Sequence, residues 1–293
     1  MVAFDWTPRV RGTGTGTGTM IQTMSDRQPV AEPAVTWARE GAVAVIHMNR
    51  AARLNVLSRD LLAHLNDALA AANGEPSVRV VILRGLGRSF SAGGDLTEFR
   101  EDFRQAPDIA EQMVGRFHQC IRTIRGMPKP VIGCLQGAIA GGGFSLAMAC
   151  DLSIAADDAT FLSAYTRLAT NPDGGGTFTL TRLLGTRRAL EVIMLDDSIP
   201  AARALELGLV NRVVSSDALE ASTMEIAWRL ARGPAAALGT VKRLVYAAQT
   251  SSLDEQLNAE KTAFIEASRS SDFEEGIASF FEKRPPRFGG AKT

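Results

Sequence analysis

Lys129-Pro130-Val131-Ile132-Gly133-Cys134 leads through Gly137-Ala138-Ile139-Ala140 into Gly141-Gly142-Gly143-Phe144, after which a helical pattern runs to Cys150. A second glycine turn, Ser91-Ala92-Gly93-Gly94-Asp95, follows the apolar run Val81-Ile82-Leu83-Arg84-Gly85 in the same way. Glycine accepts the backbone angles and the close approach that such turns need, and a helix start leaves unpaired N–H donors at its positive dipole end. One such turn reads equally well as close packing or as half of a nucleotide-binding fingerprint. Two of them can aim two backbone N–H groups at one point, and a developing oxyanion is what preorganised donors stabilise most.

Outward from these turns, residues 43–48 read as a strand, and residues 57–71 carry apolar side chains at helical spacing with Ser58 as the N-cap. Residues 78–83 and 131–135 read as strands, 109–124 and 142–150 as helices, and 152–155 as a further strand. Alternation at this spacing predicts strand-and-helix units of an α/β fold. From about Asp217 the strand signals stop, and residues 218–232, 234–249, 253–269 and 273–282 read as consecutive helices, with Gly233-Pro234 as a break. Apolar faces on helices this short need packing, against the core or against another copy of the chain.

The 293 residues, 45% of them apolar, suffice for one large domain or a core with a helical appendage. Lysines plus arginines and aspartates plus glutamates each number 32, so the overall charge points to neither nucleic acid nor an acidic surface as a partner. No run approaches the roughly 20 apolar residues of a membrane span. The cysteines, Cys120, Cys134 and Cys150, sit in apolar or helical patterns without metal-ligand spacing, as buried reduced thiols of a cytoplasmic protein do, and no metal site is expected. The segment Gly12-Thr13-Gly14-Thr15-Gly16-Thr17-Gly18-Thr19 is low-complexity, so residues 1–34 are expected to form a flexible tail, with Met20 or Met24 as alternative starts of translation.

With both glycine turns in their settings, Arg88-Ser89-Phe90-Ser91-Ala92-Gly93-Gly94-Asp95-Leu96 and Gly137-Ala138-Ile139-Ala140-Gly141-Gly142-Gly143, the chain resembles the crotonase superfamily of enoyl-CoA hydratases and isomerases over roughly residues 35 to 288. The resemblance implies a spiral of repeated ββα units over 35–215 and a helical region over 216–288 that covers the site and builds a homotrimer or homohexamer. It implies an acyl-CoA thioester as substrate, with coenzyme A as part of it and no separate cofactor. Its oxyanion donors fall at Ala92 and Gly142. In Arg50-Ala51-Ala52-Arg53-Leu54-Asn55, Arg53 matches the basic position that meets the coenzyme's phosphates, with Asp95 and Leu96 beside it; in Phe280-Phe281-Glu282-Lys283-Arg284, Phe280 would touch the adenine and Lys283 a phosphate, commonly of a ligand on a neighbouring subunit.

The departures bear on the chemistry. Hydratases of the superfamily activate water with two glutamates, and here those positions are Ser145 and Tyr165. Without either carboxylate, hydration loses its acid and its base. A carboxylate stands eight residues beyond Tyr165, in Thr170-Asn171-Pro172-Asp173-Gly174-Gly175-Gly176-Thr177. Several double-bond isomerases of the superfamily use this position as a base, and its dehalogenating members use it as a nucleophile; from the local letters alone Asp173 also reads as a turn or N-cap residue. His118 and Tyr165 fall where the dehalogenating members carry a catalytic histidine and an aromatic against the substrate. The Ala164-Tyr165-Thr166-Arg167 and Pro172-Asp173-Gly174-Gly175 phrases are closest to epoxyphenylacetyl-CoA isomerase-like members. The expected activity is therefore double-bond isomerisation, with an Asp173-nucleophile hydrolase or an inactive acyl-CoA binder as the rivals. The acyl pocket is expected to depend on residues 96–108, read as a variable, mobile segment.

Overall fold

Runs such as Val80-Val81-Ile82-Leu83 are apolar on both faces, the pattern of a parallel strand covered from two sides. In the computed structural model, which describes residues 33–289, nine strands form: β1 (Val35–Glu40), β2 (Val43–Met48), β3 (Val80–Gly85), β4 (Val131–Leu135), β5 (Ala138–Ala140), β6 (Leu152–Ala156), β7 (Thr160–Leu162), β8 (Ile199–Pro200) and β9 (Arg212–Val214). Six make one sheet in the order β1-β2-β3-β4-β6-β9, parallel except for the β1–β2 hairpin, and β5-β7-β8 make a second. The chain gives β4 to the first sheet and β5 to the second, then β6 to the first and β7 to the second, with β5 parallel to β7. Ser91 joins this stack through a parallel bridge to Ile139. These stacked turns are the expected spiral.

Because side chains alternate along a strand, the large sheet feeds two cores. Ala44, Ile46, Val81, Leu83, Val131 and Leu135 face one, and Val43, Val45, Val80, Ile82, Ile132 and Ile154 face the other. Helices α1 (Arg59–Gly74), α3 (Ala106–Gly126) and α4 (Gly142–Ala149) pack in the first core, and α8 (Leu219–Ala231) covers the second through Leu219, Ala227 and Ala231. Ser58 caps α1 as expected, accepting from the Leu61 N–H at 3.2 Å. Between α1 and α3 lies the short helix α2 (Thr97–Glu101), and α5 (Gly176–Leu184), α6 (Thr186–Leu195) and α7 (Ala201–Glu206) follow β7.

The last three helices, α9 (Ala235–Ala247), α10 (Leu253–Ala267) and α11 (Ser271–Glu282), match the expected run to within a few residues. A buried ion pair, Lys242 to Asp151 at 2.7 Å, pins α9 to the core, and Lys242 also donates to the carbonyls of Ile124 and Lys129. Exposed apolar side chains collect on α6 (Met194, Leu195), α9 (Val241, Val245) and α10 to α11 (Phe264, Phe280, Phe281), more than scattered surface residues require.

Three sequence expectations need adjustment. Ala34 is fully buried and its carbonyl accepts from the Asn49 N–H, so the ordered fold starts before residue 35; residues 1–32, with Met20 and Met24, lie outside the described residues. The strand expected over 78–83 begins at Val80, because the Arg79 and Val80 N–H groups turn back onto the Ala42 carbonyl. The segment expected to be mobile, 96–108, folds as α2, a 3-10 turn at Phe103–Gln105 and the first turn of α3, and it is anchored where Glu98 accepts from the Arg59 backbone N–H at 2.9 Å and pairs with its guanidinium. The cysteines are free and buried as expected.

Candidate active site

The two glycine turns do meet. Gly93 has φ +97°, and a Cβ there would lie 2.9 Å from the Ala140 carbonyl oxygen and 3.4 Å from Gly142 N. A Cβ on Gly143 would lie 2.4 Å from the Ser91 carbonyl oxygen, so only glycine lets the backbones approach. Gly142 is the first residue of α4, where the N–H has no intrahelical acceptor and the helix dipole is positive.

The donor expected at Ala92 is corrected by this geometry. The Ala92 N–H donates to the Leu54 carbonyl at 3.0 Å and is not available to a ligand. The free N–H of that turn belongs to Gly94. Leu57 brackets it, donating to the Gly93 carbonyl and accepting from the Asp95 N–H, which leaves the Gly94 N–H directed away from the pairing. Gly94 N lies 3.9 Å from the Cβ position of Gly142, and neither Gly94 nor Gly142 has an N–H partner among the described residues. Two free donors thus converge, one of them a residue that the letters alone did not single out.

The ring of Phe117, on α3, links these donors to the carboxylate. It lies 3.6 Å from the Cβ position of Gly142 and overlaps that of Gly174, the neighbour of Asp173. Asp173 does not cap α5: the cap is Gly175 in the left-handed region, with no side-chain cap bond. Its carboxylate instead accepts a hydrogen bond from the Tyr165 phenol, and Ser145 Oγ lies 3.3 Å from that phenol oxygen. His118 accepts the Gly174 N–H on Nε2 at 3.2 Å, so the expected trio of Ser145, Tyr165 and His118 surrounds Asp173.

Asp196, itself buried, holds the loop that carries Tyr165, by accepting from the Ala164 N–H at 2.5 Å and from Arg167 Nε at 2.8 Å. Burial pushes the Asp173 carboxyl above the ordinary carboxylate range, against the opposing effects of the Tyr165 donor and His118. Burial first, and the neighbouring carboxylate second, raise the Tyr165 phenol, so it stays protonated and remains a donor.

Arg53, Asp95 and Leu96 lie together at the rim of the Gly94 turn. The Arg53 guanidinium sits 2.9 Å from buried Asp95 and 2.9 Å from Thr97 Oγ1, while about half of its side chain stays exposed. Leu96 is exposed beside it. Phe280 and Lys283 are not brought to this cluster within the chain: both are exposed at the end of α11, with Phe280 against Phe281 and Lys283 as the left-handed C-cap.

A two-sheet spiral in which two glycine turns meet beside a half-buried carboxylate defines the class as the crotonase fold. The family model described as enoyl-CoA hydratase/isomerase matches residues 38–291, and the chain belongs to that family. It is 35% identical over 252 residues to a 1,2-epoxyphenylacetyl-CoA isomerase of Escherichia coli, covering 86% of this chain and 96% of that protein. It is 36% identical over 248 residues to a probable enoyl-CoA hydratase of Rhodobacter capsulatus, covering 85% of this chain and 95% of that protein. Among solved structures, an enoyl-CoA hydratase from Polaromonas sp. JS666 superposes with a TM-score of 0.84 at 36% identity, covering 87% of this chain and 99% of that one.

Proposed function

We propose that this chain is an acyl-CoA double-bond isomerase in which Asp173 is the base. The Gly94 and Gly142 N–H groups would hold the thioester oxygen. Asp173 would take a proton from carbon next to, or conjugated with, the thioester carbonyl, leaving the electron pair on the oxygen as an enolate. The proton would then return at the other end of the allylic system. The observation that carries this reading is the Asp173 carboxylate, half-buried with a raised pKa and bonded to Tyr165, on a turn that packs against the same Phe117 ring as the Gly142 donor. A base needs a pKa lifted toward the working pH, and burial supplies that.

Simple hydration is disfavoured. Ser145 and Tyr165 stand where the superfamily's hydratases carry glutamates, and the phenol lies between Ser145 Oγ and Asp173, where a water would need two carboxylates to activate it. A nucleophilic role for Asp173 is disfavoured by His118. Hydrolysis of an ester at Asp173 needs a basic nitrogen to activate water, and the Nε2 lone pair of His118 is already taken by the Gly174 N–H.

The relatives support the choice without deciding it: besides the epoxyphenylacetyl-CoA isomerase, a trans-2-decenoyl-[acyl-carrier-protein] isomerase of Streptococcus mutans is 30% identical, while several others are named hydratases. Coenzyme A enters as part of the substrate, with Arg53 as its phosphate contact; no helix among the described residues is long and apolar enough to cross a membrane, and a cytoplasmic location fits the buried thiols. The exposed apolar faces of α6 and α9 to α11 fit assembly as a homotrimer or homohexamer, which would also let Phe280 and Lys283 reach a neighbour's ligand.

The test is a panel of 2-enoyl, 3-enoyl and aryl thioesters followed by absorbance and mass in deuterated water. The expected result is conversion of 3-enoyl to 2-enoyl thioester with deuterium gained and no mass of water added. Net addition of water as the main reaction would overturn it.

A further inference from the structure

We propose that Tyr165, backed by Ser145, is a positioning residue for Asp173: the two hydroxyls form a one-way hydrogen-bond chain that holds one carboxylate oxygen and leaves the other free to exchange a proton with the substrate. This rests on the assignment of Asp173 as the base.

The direction of the chain follows from donor chemistry. An ionised carboxylate only accepts, so the Tyr165 hydroxyl spends its single proton on Asp173 Oδ1. The 3.3 Å contact between Ser145 Oγ and the Tyr165 oxygen then has Ser145 as donor. All three groups are held. Ser145 and Tyr165 are buried, and the Tyr165 loop is tied to Asp196 through Ala164 and Arg167. The backbone beside Asp173 is fixed as well, by the Gly174 N–H on His118 Nε2 and the Gly176 N–H on the Asp173 carbonyl at 3.0 Å.

With Oδ1 occupied, the substrate proton goes to Oδ2. The C–H bond breaks, the electron pair moves onto the thioester oxygen, and Oδ1 keeps its acceptor role in the neutral acid as the carbonyl oxygen. The chain therefore serves both protonation states without rearranging, and the proton is returned from the oxygen that received it. Ser145 and Tyr165, which replace the hydratase carboxylates, so act to aim the remaining one.

The titratable side chains that face Asp173 among the described residues are Tyr165, from the loop after β7, and His118, from α3; Tyr165 is the stronger influence lowering its pKa. Tyr165→Phe keeps the ring and removes only the donor. The test is carbon-13 NMR titration of the full chain labelled at aspartate carboxyl carbons, with the Asp173 resonance identified by its loss in Asp173→Asn. In Tyr165→Phe the Asp173 resonance is expected to titrate at higher pH than in wild type, and Ser145→Ala is expected to move it in the same direction by less.

With 3-hexenoyl-CoA as the kinetic probe, Tyr165→Phe should lower kcat roughly tenfold, less than the roughly hundredfold or more that loss of the general base itself costs, with KM within about threefold. An unchanged Asp173 titration in both Tyr165→Phe and Ser145→Ala overturns the chain. If Tyr165→Phe fails to fold, Ser145→Ala alone decides on the same readout. The two assignments fail separately: turnover retained in Asp173→Asn removes the base itself, whereas a dead Asp173→Asn with a wild-type titration in both hydroxyl variants removes only the positioning role.

Discussion

Replacing Gly94 by proline deletes the N–H of its turn that is left open to a ligand. The Gly94 N–H has no acceptor in the fold, and the turn is held by its neighbours, through the Leu57 N–H to Gly93 at 2.7 Å and the Asp95 N–H to Leu57 at 3.3 Å. Gly94 is outside the positive-φ glycines, and a Cβ there meets nothing within 4 Å, so a side chain fits. Gly93, which precedes it, is a glycine and tolerates the restriction that proline places on its neighbour. Two donors face the site, and loss of one should cost roughly 2.7–4 kcal/mol of transition-state stabilisation, a fall in kcat of about a hundred- to a thousandfold.

Gly94→Ala adds a Cβ and keeps the N–H, so it controls for the presence of a side chain at this position. The assay is isomerisation of 3-hexenoyl-CoA beside calorimetric binding of coenzyme A, with thermal melts and sedimentation to verify folding and assembly. We expect Gly94→Ala within a few-fold of wild type and Gly94→Pro down by the factor above, with coenzyme affinity little changed. A folded Gly94→Pro with the activity of Gly94→Ala would refute the placement of the second donor at Gly94.

Activity should fall on acidification with a midpoint above the ordinary aspartate value of 3.8, because burial raises the Asp173 pKa and the protonated acid cannot accept a C–H proton; a pH profile of kcat/KM measures it. The same shift has a stability sign: a raised carboxyl pKa favours the fold at low pH and costs stability as pH rises through it, so Asp173→Asn should melt higher than wild type at neutral pH, with the gain fading as pH is lowered through that pKa. Lys242→Ala should destabilise the chain by roughly 3–5 kcal/mol in denaturant titration, because it leaves Asp151 buried without its cation and frees α9. Arg53→Ala should raise KM for an acyl-CoA more than for the matching pantetheine thioester, and should also lower the melting temperature, since Asp95 is buried against Arg53.

Residues that build long elements were legible where their own neighbours decide the structure. β2, β4 and β6 are mostly apolar runs, Ser58 announces α1, and the four C-terminal helices keep their helical spacing. β5, β7 and β8 span three, three and two residues, too short to show a period, and they exist because the turns of the spiral stack. Residues 97–101 look like a loop because the contact that orders them, Glu98 with Arg59, is 39 residues away in the chain.

The site divides along the same line. Asp173, Tyr165, Ser145 and His118 were found by motif and do converge, since each sits at a fixed place in its turn of the spiral. Which N–H of the first glycine turn is free was not legible: it depends on where Leu54 and Leu57 pair with the turn, and that pairing occupies Ala92 and releases Gly94.

The most direct measurement is exchange of substrate C–H protons with deuterated water in Asp173→Asn, using 3-hexenoyl-CoA and oxygen-18 water in parallel. Asparagine keeps the size of the side chain and an acceptor for the Tyr165 phenol, and loses the basic oxygen. We expect a folded protein that binds acyl-CoA normally and loses at least about a hundredfold in both exchange and isomerisation, as for a removed general base. Wild type should exchange at least as fast as it isomerises and take up no heavy oxygen at Asp173. Exchange and turnover retained in Asp173→Asn, or heavy oxygen in the wild-type Asp173 carboxylate after one turnover, would contradict the assignment of Asp173 as the base.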